Sequence, residues 1–249
     1  MALLQLQGLT KRYGGIVAVN DVTMSVEPGE VRAVIGPNGA GKTSLFHLIT
    51  GVVKPTLGEI LFDGHRVTAM PAFGRCQLGM SRTFQLTALF PEMSARENTR
   101  LAAQARDKKR WLPLGGRAVF AEASRRGDAA LERLGLTHVA ERPAGLLSHG
   151  DQRLLEVAMA LAQQPRLLLM DEPTQGLSVE ETAQAVEVLG NLFAGGGLTV
   201  LLVEHDMEVV FRLATKMTVL HRGTVIADGE PEDVKADPAV QDAYLGGYT

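Results

Sequence analysis

The sequence predicts an α/β fold: a parallel sheet covered on both faces, an antiparallel β part at its start and an inserted α-helical lobe. Three observations predict it. Wholly apolar runs, "VRAVI", "RLLLMD" and "LTVLLVE", are each short enough for a strand buried on both faces, and a helical pattern separates the last two. The opening residues 1–70 alternate and turn as strands do. Residues 92–165 carry helical spacing without a strand signal.

Each element has its own reason. "ALLQLQGL" alternates apolar and polar, and "VTMSVEPGE" ends in a Pro-Gly turn. "VRAVI" leads through glycines into "KTSLFHLITG", a helix that Gly51 can end. "EILFDGHRV" carries an Asp63-Gly64 turn, a strong hairpin signal. "ALERLGLTHVAERPAGLL" breaks at Gly135 and Pro143, while "QRLLEVAMALAQQP" lines up Leu154, Leu155, Val157, Ala158 and Leu161 until Pro165 stops it. Then "SVEETAQAVEVLGNLFAGGG" reads as a helix between strands, and "KMTVLHRGTVIADG" as a hairpin turning at Arg222-Gly223. "PEDVKADPAVQDAYLGG" is a polar helical tail. There is no internal repeat and no low-complexity linker.

Composition narrows the class. With 249 residues, 45% hydrophobic and 21% charged, the chain suits one large domain or two unequal lobes. A net charge of −3 and 5% aromatics give no ground for expecting nucleic acid as a partner. The one cysteine, Cys76, excludes an intrachain disulfide and fits a reducing compartment. The opening residues lack the basic and apolar regions of a signal peptide. No run approaches the roughly 20 apolar residues of a membrane helix, so work at a membrane would need a partner to hold the chain there. Residues 104–127 carry a local net of +5, leaving −8 for the rest. That stretch reads as a solvated loop, with lipid headgroups or a membrane partner's cytoplasmic face as the alternative.

Two motifs carry chemistry. "GPNGAGKTS", residues 36–44, fits G-x-x-x-x-G-K-[ST] and stands between a strand and a helix, the context this phosphate-binding loop requires. Gly36, Gly39 and Gly41 let the backbone approach phosphate oxygens, and the amides of Gly36, Pro37's successor Asn38, Gly39, Ala40, Gly41 and Ser44 suit an anion nest. Lys42 adds a point charge at the β/γ-phosphates, and the Thr43 hydroxyl can hold Mg²⁺. "RLLLMDEP", residues 166–173, ends an apolar strand in acids at the edge where ligands bind in open α/β sheets. Asp171 is placed to hold Mg²⁺ through water, and Glu172 to position or deprotonate the attacking water.

With these motifs in this order the chain resembles the ATP-binding-cassette (ABC) ATPases over nearly its whole length. Tyr13 in "KRYGG" matches the aromatic that stacks on adenine, and Gln85 in "SRTFQ" matches the glutamine that touches Mg²⁺ and the transporter contact region. "LSHGDQR" lies at the signature, with Ser148, Gly150 and Asp151. Gly176, Leu177 and Ser178 lie at the loop that crosses to the other protomer, and His205 in "VEHDM" matches the switch histidine on the γ-phosphate. Taken singly, Tyr13 reads as a turn aromatic, Gln85 as a surface glutamine, His205 as a strand-end histidine and Ser148 as a helix cap. Their joint order and spacing carry the resemblance.

The resemblance implies a P-loop NTPase fold and one ABC ATPase domain over residues 1–249. Its α/β core would be 1–85 and 165–249, and its helical lobe 86–164 would include the signature. It implies ATP and Mg²⁺ as cofactors and catalysis by Glu172, His205 and Lys42. The partners it implies are a second ATPase copy, as homo- or heterodimer, transmembrane permease subunits and, indirectly, a substrate-binding protein. Each ATP would sit between one phosphate loop and the partner's signature, at the cytoplasmic face of the membrane. The signature departs from Leu-Ser-Gly-Gly-Gln: His149 replaces a glycine and Asp151 the glutamine, so Asp151 is expected to point away or pair with Arg153. Ser178 stands where many relatives have aspartate. "SRTFQLTALFPEMSARENT", the long insertion, "VEHDM" and "DAYLGG" resemble the branch that takes up branched-chain amino acids, urea or short amides. The alternatives are a lipopolysaccharide-export ATPase and a non-transport ABC ATPase. A P-loop GTPase or kinase would leave "LSHGDQR" unexplained, and the chain has no Asn-Lys-x-Asp run.

Overall fold

The computed structural model describes residues 1–83, 89–106 and 116–245. The elements run β1 Leu4–Tyr13, β2 Ile16–Val26, β3 Val31–Ile35, α1 Lys42–Thr50, β4 Leu57–Phe62, β5 His65–Arg66, α2 Ala72–Leu78 and β6 Met80–Arg82. The helices α3 Ala95–Ala105, α4 Gly116–Arg133 and α5 His149–Ala162 follow, then β7 Leu167–Asp171, α6 Val179–Ala194, β8 Thr199–Val203 and α7 Met207–Leu213. The chain closes with β9 Lys216–His221, β10 Thr224–Gly229, α8 Pro231–Ala236 and α9 Pro238–Leu245. The chain divides into two compact units.

The α/β unit comprises Met1–Leu78, Leu169–Glu172 and the chain from Gly197 onward. One sheet is antiparallel, in the order β2-β1-β4-β5. The other runs β10-β9-β3-β8-β7 within this unit. There β3 lies parallel to both β8 and β9, and β10 returns antiparallel on β9. Every residue of β3, β7 and β8 is buried, as largely apolar strands between two covered faces must be. Each fully buried Val or Leu there contributes roughly 1.5–3 kcal/mol. Arg32 is the polar exception in β3: its guanidinium is satisfied by Glu30 at 2.5 Å, by Thr218 at 2.8 Å and by Asp228.

The predicted turns fall where positive φ is needed. Asp63 and Gly64 sit at φ 52° and 74°, and Arg222 and Gly223 at 48° and 84°, the conformation a two-residue hairpin demands. The tail expected to be helical is two helices rather than one, because Pro238 cannot continue α8.

The helical unit comprises Gly79–Leu168 and Pro173–Gly196. Its strand β6 begins beside the start of β7, where the Arg166 and Leu167 amides donate to the Gly79 carbonyl at 2.8 and 3.1 Å. Ser94 and Glu97 close a capping box on α3. Asn98, fully buried, donates to the carbonyls of Phe90, Met93 and Ser94 and accepts from the Phe90 amide, which fixes the turn before that helix. Much of the basic 104–127 stretch lies outside the described residues.

Candidate nucleotide site

Four helices, α3, α5, α6 and α7, begin on a serine or aspartate whose side chain accepts a backbone amide. Helix α1 does not. Its N-cap is Gly41 at φ 105°, with no side-chain cap and no acid in the first turn. Among the described residues, the first-turn amides of α1 and the positive end of its dipole therefore have no anionic side-chain cap. The glycines make the loop possible. A Cβ on Gly36 would collide with the Leu220 carbonyl oxygen, and one on Gly41 with that of Ala18, whereas Gly39 at φ 79° faces open space.

Lys42 is buried to 9% exposure, and its ammonium curls back into its own loop. Nζ donates to the Gly36 carbonyl at 2.5 Å and to Pro37's at 3.2 Å. Burial pushes the ammonium below its ordinary lysine value, while the charges of Glu172 and then Asp171 act to raise it. Those two carboxylates, at and just past the end of β7, are thus near enough for their charge to act on the Lys42 ammonium. Asp171 is 2% exposed. Glu172 follows in a left-handed conformation, φ 49°, its amide donating to Val203 O at 2.9 Å. A non-glycine residue held there stores strain of order 1–3 kcal/mol and is the kind of outlier that gathers at reacting centres.

His205 stands at the end of β8. Its Nδ1 is 3.9 Å from Glu172 Oε1 and 3.9 Å from Glu204 Oε2. Glu204 is fully buried and accepts the His205 amide at 3.2 Å, while Asp206 caps α7. The histidine backbone is therefore fixed on both sides and its ring is left 58% exposed. Tyr13 ends β1, 44% exposed, with the Lys11 ammonium 4.9 Å from its ring centroid. Among the described residues no group of three or more His, Cys, Asp or Glu is arranged for a metal. The oxygens on hand, the Thr43 hydroxyl and the Asp171 carboxylate, fit Mg²⁺, which keeps waters and takes its remaining ligands from phosphate.

In the helical unit, Ser148 caps α5 and accepts the Asp151 amide at 3.1 Å. Ser178 caps α6 through a capping box with Glu181. The Glu181 carboxylate also reaches the signature, accepting the Gly150 amide at 3.1 Å. Beside this junction His149, Gln152, Arg153, Gln175, Gly176 and Leu177 line a cavity of about 260 Å³. The expected Asp151–Arg153 pair is absent: Arg153 turns to Glu156 at 3.0 Å. On a helix, residues three apart are neighbours and residues two apart are not.

The α/β unit brings together Lys42 of the 36–44 loop, Asp171, Glu172 and His205, and also contains Tyr13. The helical unit brings together Ser148, Gly150 and the Gly176–Ser178 loop. Gln85 lies outside the described residues. Sequence reasoning missed Glu181 and Glu204. The spacing Ser178-x-x-Glu181 was a readable capping-box signal; Glu204 had none, since burial decides its importance.

Known proteins agree with this geometry. The family described as ABC transporter matches residues 19–175, and that described as branched-chain amino acid ATP-binding cassette transporter matches 224–248. The chain is 41% identical over 250 residues to the high-affinity branched-chain amino acid transport ATP-binding protein LivG of Escherichia coli (strain K12), covering 98% of each. It is 40% identical to the corresponding protein BraF of Pseudomonas aeruginosa, again over 98% of each. Among solved structures, an ATP-binding cassette of an ABC transporter in its ADP conformation superposes with a TM-score of 0.84 at 31% identity, covering 99% of both chains. A nucleotide-free cassette gives 0.83 at 30% identity, covering 98% of this chain and 99% of that one. An uncapped phosphate-loop helix with two strand-end carboxylates near its lysine, matched along almost the whole chain by such relatives, leaves one conclusion: the chain belongs to the ATP-binding-cassette (ABC) transporter ATPases.

Proposed function

We propose that the chain is the ATP-hydrolysing subunit of an importer for branched-chain amino acids, or for urea or short amides. It would work as one ABC ATPase domain over residues 1–249, at the cytoplasmic face of the membrane, held by permease subunits. The uncapped α1 helix with Lys42 between its loop carbonyls and the Asp171–Glu172 pair carries the nucleotide reading. The names of the relatives and the match at 224–248 support import of branched-chain amino acids.

In this reading Tyr13 stacks on the base, and the amides of residues 38–44 bind the phosphates. The Lys42 ammonium leaves the carbonyls of Gly36 and Pro37 for a phosphate oxygen, which restores the charge that burial disfavours. Thr43, Asp171 and Gln85 would hold Mg²⁺, which when bound neutralises phosphate charge. Glu172 accepts a proton from the attacking water, and His205, braced by Glu204, orients toward the γ-phosphate. Ser148 and the Gly150 amide of the partner subunit would complete the site in trans, with Asp151 turned from the phosphates. The crossing loop Gly176–Ser178 would report on the neighbouring site. Catalysis is then positioning and electrostatics, without a covalent intermediate.

Three measurements test this. Glu172→Gln should lower ATP turnover by about 10²–10⁴-fold while ATP still binds. Light scattering of that variant should show a monomer becoming a dimer in Mg-ATP, abolished by Ser148→Arg. A monomer at saturating ATP would remove the homodimer and leave a heterodimer or the membrane subunits as the required partner. For the substrate, the chain reconstituted with its membrane subunits and binding protein should drive ATP-dependent uptake of labelled leucine. Outward movement of lipopolysaccharide without leucine uptake would overturn import.

A further inference from the structure

Arg75 is the largest of the fully buried side chains, at 1% exposure. Nothing in the nucleotide chemistry above uses it. Burial lowers its guanidinium to about 10, so it stays charged at neutral pH. No ion pair among the described residues involves it; carbonyl oxygens hold it instead. Nη1 donates to Leu48 O and Ile49 O, both at 2.6 Å, Nη2 to Thr68 O at 3.1 Å and Nε to Met70 O at 3.0 Å.

Two of those acceptors belong to the last turn of α1. A helix leaves its final carbonyls without intrahelical partners and concentrates negative dipole charge there, so a buried cation is well matched to that end. The Val52 and Val53 amides donate to His47 O and the Gly51 amide to Leu48 O, while Arg75 adds a second donor to Leu48 O and supplies one to Ile49 O. The junction is close: a Cβ on Gly51 would come to 2.8 Å from Arg75 Nε and 3.0 Å from Met70 O.

The position of Arg75 in the chain gives the contact its meaning. Helix α1 presents Lys42 and Thr43 at its first turn and is gripped by Arg75 at its last. Arg75 itself lies in α2, the last element of the α/β unit before the chain enters the helical unit at Gly79 and runs through β6 to Gln85. Apolar side chains can slide past each other with little change in energy. Four hydrogen bonds of fixed length and direction cannot, so they transmit displacement.

We propose that Arg75 is a positioning residue that couples nucleotide uptake at the start of α1 to α2 and the β6 segment that follows it in the chain. It rests on the nucleotide reading of Lys42 and Thr43. The test is hydrogen exchange of the full chain carrying Glu172→Gln, with and without Mg-ATP, comparing Arg75 with Arg75→Met and Arg75→Lys. With Arg75 present, ATP should slow exchange about fivefold or more both in residues 42–50 and in 72–83. In Arg75→Met, 42–50 should still respond and ATP affinity should stay within about threefold, while the response of 72–83 falls to about twofold or less. Arg75→Lys, which keeps the charge but cannot span four carbonyls, should lie between. If Arg75→Met fails to fold, Arg75→Lys carries the same comparison.

An undiminished response of 72–83 in the variants overturns the proposal. So does joint loss of both responses together with ATP affinity, which would make Arg75 only a support of the site. If 42–50 ignores ATP even with Arg75 in place, the nucleotide reading falls and takes this inference with it. If 42–50 responds and 72–83 does not with Arg75 in place, only this inference falls.

Discussion

The Glu181 carboxylate accepts the Gly150 amide at 3.1 Å, and so joins the first turn of one helix to the cap of another. Its other oxygen accepts the Ser178 amide at 3.0 Å. One side chain thereby serves the N-termini of both α5 and α6, the two turns to which the resemblance assigns the signature and the crossing loop. These bonds to Ser178 and Gly150, with the His149 charge adding to them, hold the Glu181 carboxyl below its ordinary value of 4.5.

Glu181→Ala should therefore lower the melting temperature at neutral pH. A carboxyl whose folded value is depressed stabilises above its unfolded value, and that stability is lost as pH falls through the folded one. The gap between wild type and variant should thus be full at pH 7 and close as the pH falls below 4.5 and through the folded value. Thermal melts across that range check it. A gap that stays constant with pH would mean that the carboxylate charge contributes nothing.

Lys42 titrates in the opposite sense. Burial depresses its ammonium below 10.5, so in the free chain it is partly neutral in a window beneath that value. A bound triphosphate adds negative charge and raises it again. ATP binding in that window should then take up protons, and affinity should weaken as pH rises through it. Calorimetry in two buffers of different ionisation enthalpy measures the uptake. Proton release would contradict the placement of Lys42, and Lys42→Arg should abolish the effect because guanidinium does not titrate there.

The glycines of the loop should separate into two behaviours. Gly41→Ala and Gly36→Ala drive a Cβ into a backbone carbonyl and should cost about 1–3 kcal/mol of stability. Gly39→Ala meets no protein atom within 4 Å, so it should cost about 1 kcal/mol, the strain of φ 79° alone. Its Cβ occupies space the phosphates need, and ATP affinity should fall by about tenfold or more. Denaturant titration beside nucleotide binding distinguishes the three variants. A Gly39→Ala chain that binds ATP normally would place the phosphates elsewhere.

The fold was legible where local chemistry decides it. The hairpins at Asp63-Gly64 and Arg222-Gly223 need positive φ at adjacent positions, and their residue types announced it. The β3, β7 and β8 strands were plain from apolar runs too short for helices. The phosphate loop was readable because its function needs glycines at fixed spacing. What escaped reading was decided at a distance. Nothing near Arg75 in the chain says that its guanidinium will meet carbonyls from residues 48, 49, 68 and 70, and nothing near Glu204 says that its carboxylate will be fully buried. Of the two outcomes open to Asp151, pairing with Arg153 does not occur, because helical geometry brings Arg153 to Glu156 three residues on.

One consequence follows from the bare start of α1. Where α3, α5, α6 and α7 each finish their first turn with a side chain of their own, α1 leaves that place to a molecule the protein does not make. The triphosphate is, in effect, a missing residue on loan. An aspartate at position 41, were the backbone to admit one, would complete the helix and shut out its ligand by the same act. Incompleteness at that turn is what leaves room for a nucleotide.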